Sequence, residues 1–169
     1  MIMKQGVKAR LIIHQILRAI KKNNLNFDNL KIQKEINKFS EKDKSLINTV
    51  CLNSMRKYFF VKKIIKKYLV KKPGLNLELL LVSAITQIIF LNFKAYAVIN
   101  CSVEIAKIIN LNPGLVNATL KNINKEKSNL INIKISFNDL PEWFQKKTGN
   151  LKIYDKTIFL DNFHNEPDI

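Results

Sequence analysis

Glycine is scarce in this chain, which contains only 4 glycines among 169 residues. Gly6, Gly74, Gly114 and Gly149 lie far apart, so the sequence has no Gly-x-Gly turn and no glycine-rich phosphate loop. Dinucleotide-binding folds, P-loops and most S-adenosylmethionine sites need such glycines, because the backbone must approach the ligand closely. The sequence therefore predicts no cofactor site in this chain, and it favours a binding protein over an enzyme.

Cysteine is also scarce, with Cys51 and Cys101 as the only two, each among apolar residues. Two isolated cysteines without a second pair or a clustered histidine do not form a zinc site. We expect both thiols to be buried and reduced, as in a reducing compartment. No metal site is predicted.

The sequence shows neither a signal peptide nor a membrane span. Lys8, Arg10 and His14 interrupt the apolar residues near the N terminus, so no continuous apolar segment forms there. The apolar stretch 77–93 contains Glu78 and several other polar residues, which is typical of a buried core helix. We expect a soluble, cytoplasmic protein without a membrane partner.

Acidic residues are few in the first part of the chain. The whole sequence has 29 basic and 13 acidic residues and a net charge of +16. Residues 1–72 contain 19 basic and 4 acidic residues, whereas residues 73–169 contain 10 and 9. An AT-rich genome raises the lysine content, but such a bias acts along the whole chain and does not explain a neutral second part. The asymmetry predicts a polyanionic partner, RNA, DNA or an anionic surface, that binds the first part.

Apolar residues recur at helical spacing over most of residues 7–127, and this predicts an all-α fold. The stretch 77–93 is apolar on most sides, which indicates the central helix of a bundle. We predict six to seven helices joined by short connections, followed by a short C-terminal extension. The predicted helices cover residues 7–22, 28–37, 40–70, 77–93, 95–110 and 112–125.

Local signals mark where three of these helices begin. Asp28 is the candidate N-cap of the second helix. Ser40 is the candidate cap of the third, and Asp43 three residues later resembles the second half of a capping box. Asn112 followed by Pro113 combines an N-cap with proline at the first helical position.

The third predicted helix is nearly thirty residues long, which is unusual for a globular protein. A break near Phe59 and Phe60 is therefore expected. The Lys72-Pro73-Gly74 sequence is predicted to end the helix.

The pattern changes after residue 127. Ile131, Ile133 and Ile135 alternate with polar residues, which predicts a short extended piece. Residues 139–148 are predicted to form a small helix that Gly149 closes. The last twenty residues show no clear period.

Residues suited to catalysis are sparse. His14 is predicted to lie on the basic side of the first helix, exposed to solvent or facing phosphate, and His164 lies near the C terminus. Acidic residues are scattered, so no carboxylate dyad or hard-metal site is indicated. No cysteine adjoins a proline, so the chain lacks the Pro-Cys loop of a cytosine-methylating enzyme.

Basic residues on two helices are the better candidates for function. They are predicted to bind RNA phosphates, and the rare arginines among them suit bidentate phosphate contacts. Phe59 and Phe60 lie on or beside the lysine-bearing side, where they either stack on unpaired bases or pack in the core. The candidate RNA-binding residues are Lys8, Arg10, Arg18, Lys21 and Lys22 in the first helix and Arg56, Lys57, Lys62, Lys63, Lys66 and Lys67 in the long helix.

Four segments in order along the chain resemble those of NusB-like domains. Asp43 and Arg56 match an Asp-Arg/Lys…Leu-Val-Tyr-Gly-Thr-Leu-Arg pattern, although Asn53 stands where the family usually has glycine. Tyr96 and Cys101 likewise replace a histidine and a glutamate of the family. The similar segments are 43–56, 84–87, 96–107 and 114–121, and they lie in order within residues 7–125. The resemblance implies a NusB-like helical bundle that binds RNA.

Two branches of this family are relevant. One consists of free-standing transcription antitermination factors, which bind RNA together with a ribosomal protein. The other is the N-terminal domain of rRNA cytosine-C5 methyltransferases. A free-standing factor is expected to end soon after the helix that contains Asn117, whereas this chain continues for more than forty residues. Residues 140–144 resemble the Pro-Glu-Trp-Leu that follows the bundle in the methyltransferases, and residues 165–167 resemble the approach to their next domain.

The resemblance thus implies a NusB-like RNA-binding domain at residues 1–127 and a linker or extension at 128–169. The first hypothesis is a non-catalytic domain that docks rRNA for a cytosine-C5 methyltransferase, whose S-adenosylmethionine site and cysteine nucleophile this chain lacks. The alternative is an antitermination factor with a ribosomal protein partner. A third is a structural interaction domain whose charge reflects codon bias. Whether the chain belongs to an enzyme is left open.

Overall fold

The computed structural model describes residues 4–163 as a chain of helices with no β-strand in that range. This confirms the predicted all-α bundle, and seven helices of seven or more residues precede the C-terminal extension. The helices are α1 Gln5–Asn23, α2 Leu30–Ile36, α3 Glu41–Arg56, α4 Tyr58–Tyr68, α5 Leu75–Ile85, α6 Ala95–Ile108, α7 Pro113–Lys125, α8 Lys127–Leu130, α9 Glu142–Lys147 and α10 Ile153–Phe163.

Helix α5 forms the centre of the bundle. All residues from Glu78 to Ile85 are buried, and the helix contacts α1, α3, α4, α6 and α7. A helix that is apolar on most sides can be stable only when neighbours cover it on those sides. The predicted central helix is therefore confirmed. Within residues 4–163, no helix has both the length and the apolar character that a bilayer crossing requires.

The predicted caps are confirmed at two of three helices. The Ser40 hydroxyl accepts a hydrogen bond from the Asp43 amide, and Asn112 Oδ1 accepts one from the Leu115 amide at 3.0 Å. At α2 the prediction was wrong by one residue, because Asn29 and not Asp28 is the cap. Asn29 Oδ1 accepts from the Lys31 amide at 3.0 Å, so α2 begins at Leu30.

The long helix predicted at 40–70 is two helices. Lys57, with φ −90° and ψ 5°, separates α3 from α4, two residues before the expected break. Helix α3 packs against both α1 and α5, whereas α4 packs mainly against α5. Helix α4 also ends at Tyr68, earlier than Pro73 suggested.

The last part of the helix predicted at 77–93 is not a regular α-helix. Residues Thr86–Phe90 form a π-helical turn, in which the Leu91 amide donates to the Thr86 carbonyl. Gln87 lies in this turn, and its Oε1 accepts a hydrogen bond from Arg10 Nε at 2.7 Å. The turn therefore links the central helix to α1 by a side-chain contact.

His14 was expected on an exposed basic face, and this prediction was wrong. Its side chain is 2% exposed, and Nε2 lies 3.1 Å from the carbonyl oxygen of Asn76 in α5. The helix turns His14 inward because α1 needs a wide buried face to contact α3, α5 and α6. Burial lowers the pKa of His14, the Asn76 carbonyl partly opposes this, and the nearby Arg18 charge lowers it further.

We expect this burial to make folding stability depend on pH. The folded pKa lies below the ordinary value of 6.5, so the unfolded chain binds the proton more readily. The free energy of unfolding should be full above pH 6.5 and fall as the pH drops below it, by at most about 1.4 kcal/mol per pH unit. Urea unfolding at several pH values measures this pH dependence of the free energy of unfolding. His14→Gln should remove the fall between pH 6.5 and 5; an unchanged profile would contradict the assignment to His14.

The C-terminal extension is helical. Residues 133–136, where a short extended piece was predicted, form no helix and no strand, and Ser136 is extended. The helix predicted at 139–148 is α9, preceded by a 3-10 turn at Phe137–Asp139. Helix α10 was not predicted, because the last residues of the chain show no clear helical period. Its Ile153 and Tyr154 are exposed, and its Phe159 stacks on Phe144 with ring centroids 5.1 Å apart. His164 and residues 165–167 lie outside the described residues.

Candidate nucleic-acid interface

Tyr58, the first residue of α4, joins the two groups of basic residues that the sequence suggested. Lys21 Nζ from α1 lies 4.4 Å from the centroid of the Tyr58 ring, and Lys62 Nζ from α4 lies 5.6 Å from it. An aromatic face attracts cations at such distances. Residues far apart in sequence therefore form one continuous basic surface.

An open cleft of about 570 Å³ lies along this surface. One wall consists of α1 and α4 residues, and the other consists of the segment from Asn138 to Gln145 in the extension. We call it the basic cleft, and its lining residues are Lys21, Tyr58, Phe59, Lys62, Lys63, Lys66, Asn138, Asp139, Leu140, Pro141, Glu142, Trp143 and Gln145.

The predicted candidates fall into three sets, of which two lie on the basic surface. Lys21, Lys62, Lys63 and Lys66 line the basic cleft. Arg18 and Lys22 are exposed on α1 within one turn of Lys21, and Lys67 is exposed beside Lys66. These residues extend the basic surface beyond the cleft.

The remaining candidates do not line the basic cleft, and their cationic groups contact the protein itself. Arg10 binds Gln87 and also donates from Nη1 to the Gly6 carbonyl at 3.2 Å. Arg56 Nη1 lies 3.5 Å from Asn53 Oδ1. Lys57 lies over the Phe90 ring and Lys8 lies over the Phe39 ring.

The two phenylalanines have different environments. Phe60 is 7% exposed and packs edge-on against Phe90, with ring centroids 5.2 Å apart, so it belongs to the core. Phe59 is half-buried, lines the basic cleft and packs edge-on against Tyr58. Of the two, only Phe59 is placed to meet a ligand in the cleft.

The position of Tyr58 is fixed by a hydrogen bond to a buried carboxyl group. Its hydroxyl donates to Oε1 of Glu78, a residue that is 6% exposed in the first turn of α5. Burial, followed by the Glu78 hydrogen bond and charge, raises the pKa of Tyr58 far above its ordinary value. Tyr58 therefore stays neutral and fixed, with its ring beneath two lysines.

One ion pair fixes the extension to α4. Lys63 Nζ lies 2.7 Å from Asp139 Oδ2 and donates to the Lys134 carbonyl at 3.1 Å. The Ser136 amide also donates to Asp139 at 2.8 Å. Partial burial by itself raises the pKa of Asp139, but the Lys63 and Ser136 hydrogen bonds outweigh it and the pKa is lowered. The ionised carboxylate thus holds the second wall of the cleft in place.

Sequence reasoning missed Tyr58 and Trp143 as parts of the site. Tyr58 fits the apolar pattern of its helix, and Trp143 lies in the extension, so only the tertiary contact places them beside the lysines. Lys71 and Lys72 were also missed. They line a second groove of about 410 Å³ at the end of α4, and the continuing run of lysines was a signal for them.

Both cysteines were expected to be buried, but only Cys51 is, and Cys101 is partly exposed. Cys51 is fully buried, and burial raises the pKa of its thiol to about 12, so it is not a thiolate nucleophile. Residues 4–163 also contain no group of three His, Cys, Asp or Glu side chains that could hold a metal ion.

Comparison with known proteins gives one match. No curated protein matches the sequence. A family model matches residues 7–125, which is more than two thirds of the chain, and this model describes the NusB family.

Proposed function

This chain belongs to the NusB family, and we propose that it binds RNA through the basic cleft and the lysines that continue it along α1 and α4. The family suggests RNA binding or an antitermination-type function. The position of the charges supports RNA binding by this surface in particular.

The observation that carries the proposal is the meeting of Lys21 and Lys62 over Tyr58. Among residues 4–163, Lys21, Lys62 and Lys66 form no ion pair with a carboxylate. Lysines that lie close together without forming an ion pair repel each other, and a row of phosphates relieves that repulsion. Phosphate contacts of this kind supply nearly all of non-specific nucleic-acid binding and do not read sequence.

The RNA that we propose is rRNA, docked for a cytosine-C5 methyltransferase. The extension supports this branch, because residues 140–144 resemble the segment that follows the bundle in those enzymes and here they form one wall of the cleft. The methyl donor site and the nucleophile would belong to another domain. The alternative, an antitermination factor that binds RNA with a ribosomal protein, rests on the same basic surface.

Ultraviolet cross-linking in cells, followed by sequencing of the attached RNA, distinguishes the two. The methyltransferase proposal predicts cross-links to mature rRNA and loss of 5-methylation at a nearby cytosine when the gene is deleted. Cross-links to transcript leaders with unchanged methylation would overturn it in favour of antitermination. Cross-links that do not exceed those of an unrelated lysine-rich protein would overturn RNA binding itself.

A further inference from the structure

The two walls of the basic cleft differ in chemistry. The wall formed by α1 and α4 presents lysines, whereas the wall formed by the extension presents Trp143, Asn138 and Glu142. The cleft, at about 570 Å³, lies within the range of small-ligand sites. A long polyanion alone does not require an aromatic wall, so the second wall needs its own explanation.

Trp143 is the single tryptophan of the chain, and 62% of its surface is exposed. It packs edge-on against Phe144, with ring centroids 5.7 Å apart, and Phe144 in turn stacks on Phe159. The indole is therefore supported at one side by an aromatic cluster and open elsewhere. A large exposed aromatic side chain that is fixed by its neighbours is a suitable stacking surface for a base.

The backbone that carries Trp143 is also held firmly. Leu140 is 4% exposed and anchors the turn before α9. Gln145 Nε2 donates to the Leu140 carbonyl at 2.6 Å, and the ion pair between Lys63 and Asp139 fixes the turn to α4. Stacking on a fixed side chain loses less conformational entropy than stacking on a mobile one.

The charges orient a ligand in the cleft. Asp139 is occupied by Lys63, which leaves Lys21, Lys62 and Lys66 to attract a phosphate on the α4 side. Glu142 on the opposite wall repels phosphate from the Trp143 side. We therefore expect a nucleotide to bind with its phosphate toward α4 and its base toward the indole.

We propose that the basic cleft is a subsite for one unpaired RNA nucleotide, whose base stacks on Trp143 and whose phosphate contacts Lys62 and Lys66. This inference rests on the proposed function and specifies how the extension takes part in it. A base inside a duplex is stacked on its neighbours and cannot reach the indole, so the subsite selects single-stranded RNA, a loop or a bulge.

The fluorescence of Trp143 tests this directly, because no other tryptophan contributes. Titration with a single-stranded uridine oligonucleotide should quench the emission to saturation, while a duplex RNA of equal length should quench it much less. Stacking is worth about 1–3 kcal/mol per base, so Trp143→Leu should weaken binding of the single strand about tenfold. Trp143→Phe keeps an aromatic stacking surface and should retain most of the affinity. Because this variant has no tryptophan, its binding is measured by the fluorescence anisotropy of a labelled oligonucleotide.

Tyr96→Leu is the matched control, because Tyr96 is an exposed aromatic residue of α6 outside the cleft, 67% exposed. It should leave RNA affinity unchanged. If Trp143→Leu binds as tightly as the Tyr96→Leu control, or if duplex and single strand quench equally, the subsite is wrong while RNA binding by the lysines stands. If the unaltered protein binds neither RNA, the proposed function itself fails.

Discussion

Replacing Lys62 and Lys66 together by glutamate should weaken binding of single-stranded RNA about 100-fold at low ionic strength, from two lost contacts of about 1.4 kcal/mol each. Both side chains line the basic cleft, and Lys62 also lies over Tyr58 with Lys21. Reversal of their charge places repulsion where a phosphate is proposed to bind. Fluorescence anisotropy with a labelled oligonucleotide measures the change.

Lys121 and Lys125 provide a matched control. They are exposed, lie four residues apart on α7, and so reproduce the spacing of Lys62 and Lys66 away from the cleft. Replacing both by glutamate changes the net charge by the same amount. We expect this control to lose far less affinity, and equal losses in the two variants would show that only net charge matters.

Tyr58→Phe should lower the free energy of unfolding by about 1–3 kcal/mol, because it removes the hydrogen-bond donor from the buried Glu78. The phenylalanine ring still supports Lys21 and Lys62, so RNA affinity of the folded variant should not change. Urea unfolding and RNA titration together measure this separation. A variant as stable as the unaltered protein would show that the hydroxyl does not satisfy Glu78.

A second variant tests whether the unsatisfied Glu78 carboxyl group causes this loss of stability. Tyr58→Phe combined with Glu78→Met replaces both polar partners by apolar ones, which is often nearly neutral where removal of one partner is costly. The double variant should therefore be more stable than Tyr58→Phe alone. If it is less stable still, Glu78 contributes through another contact, such as its place in the first turn of α5.

The bundle could be predicted from the sequence because its signals are local. Ser40 and Asn112 cap their helices through contacts three residues away, and the apolar residues of α5 require burial wherever the helix lies. The break at Lys57 was placed only approximately. It depends on α3 packing against α1 as well as α5, while α4 packs mainly against α5, and the apolar pattern of neither helix specifies these partners.

The site could be predicted only in part. Charge asymmetry indicated the first 72 residues, and four of the chosen lysines do line the cleft. The same reasoning placed His14, Arg10 and Lys21 together on the basic side of α1. In the fold His14 is buried, Arg10 donates a hydrogen bond to Gln87, and Lys21 is exposed. Periodicity gives the face of a helix, but which neighbour covers that face is a property of the whole fold.

The salt dependence of RNA binding tests the central claim most directly. Each phosphate contact to a single strand contributes about 0.7 to the slope of log affinity against log salt concentration. If Lys62 and Lys66 each neutralise a phosphate, replacing both by glutamine should reduce that slope by about 1.4, whereas glutamine at Lys121 and Lys125 should leave it unchanged. Equal slopes for the cleft variant and the unaltered protein would contradict the account.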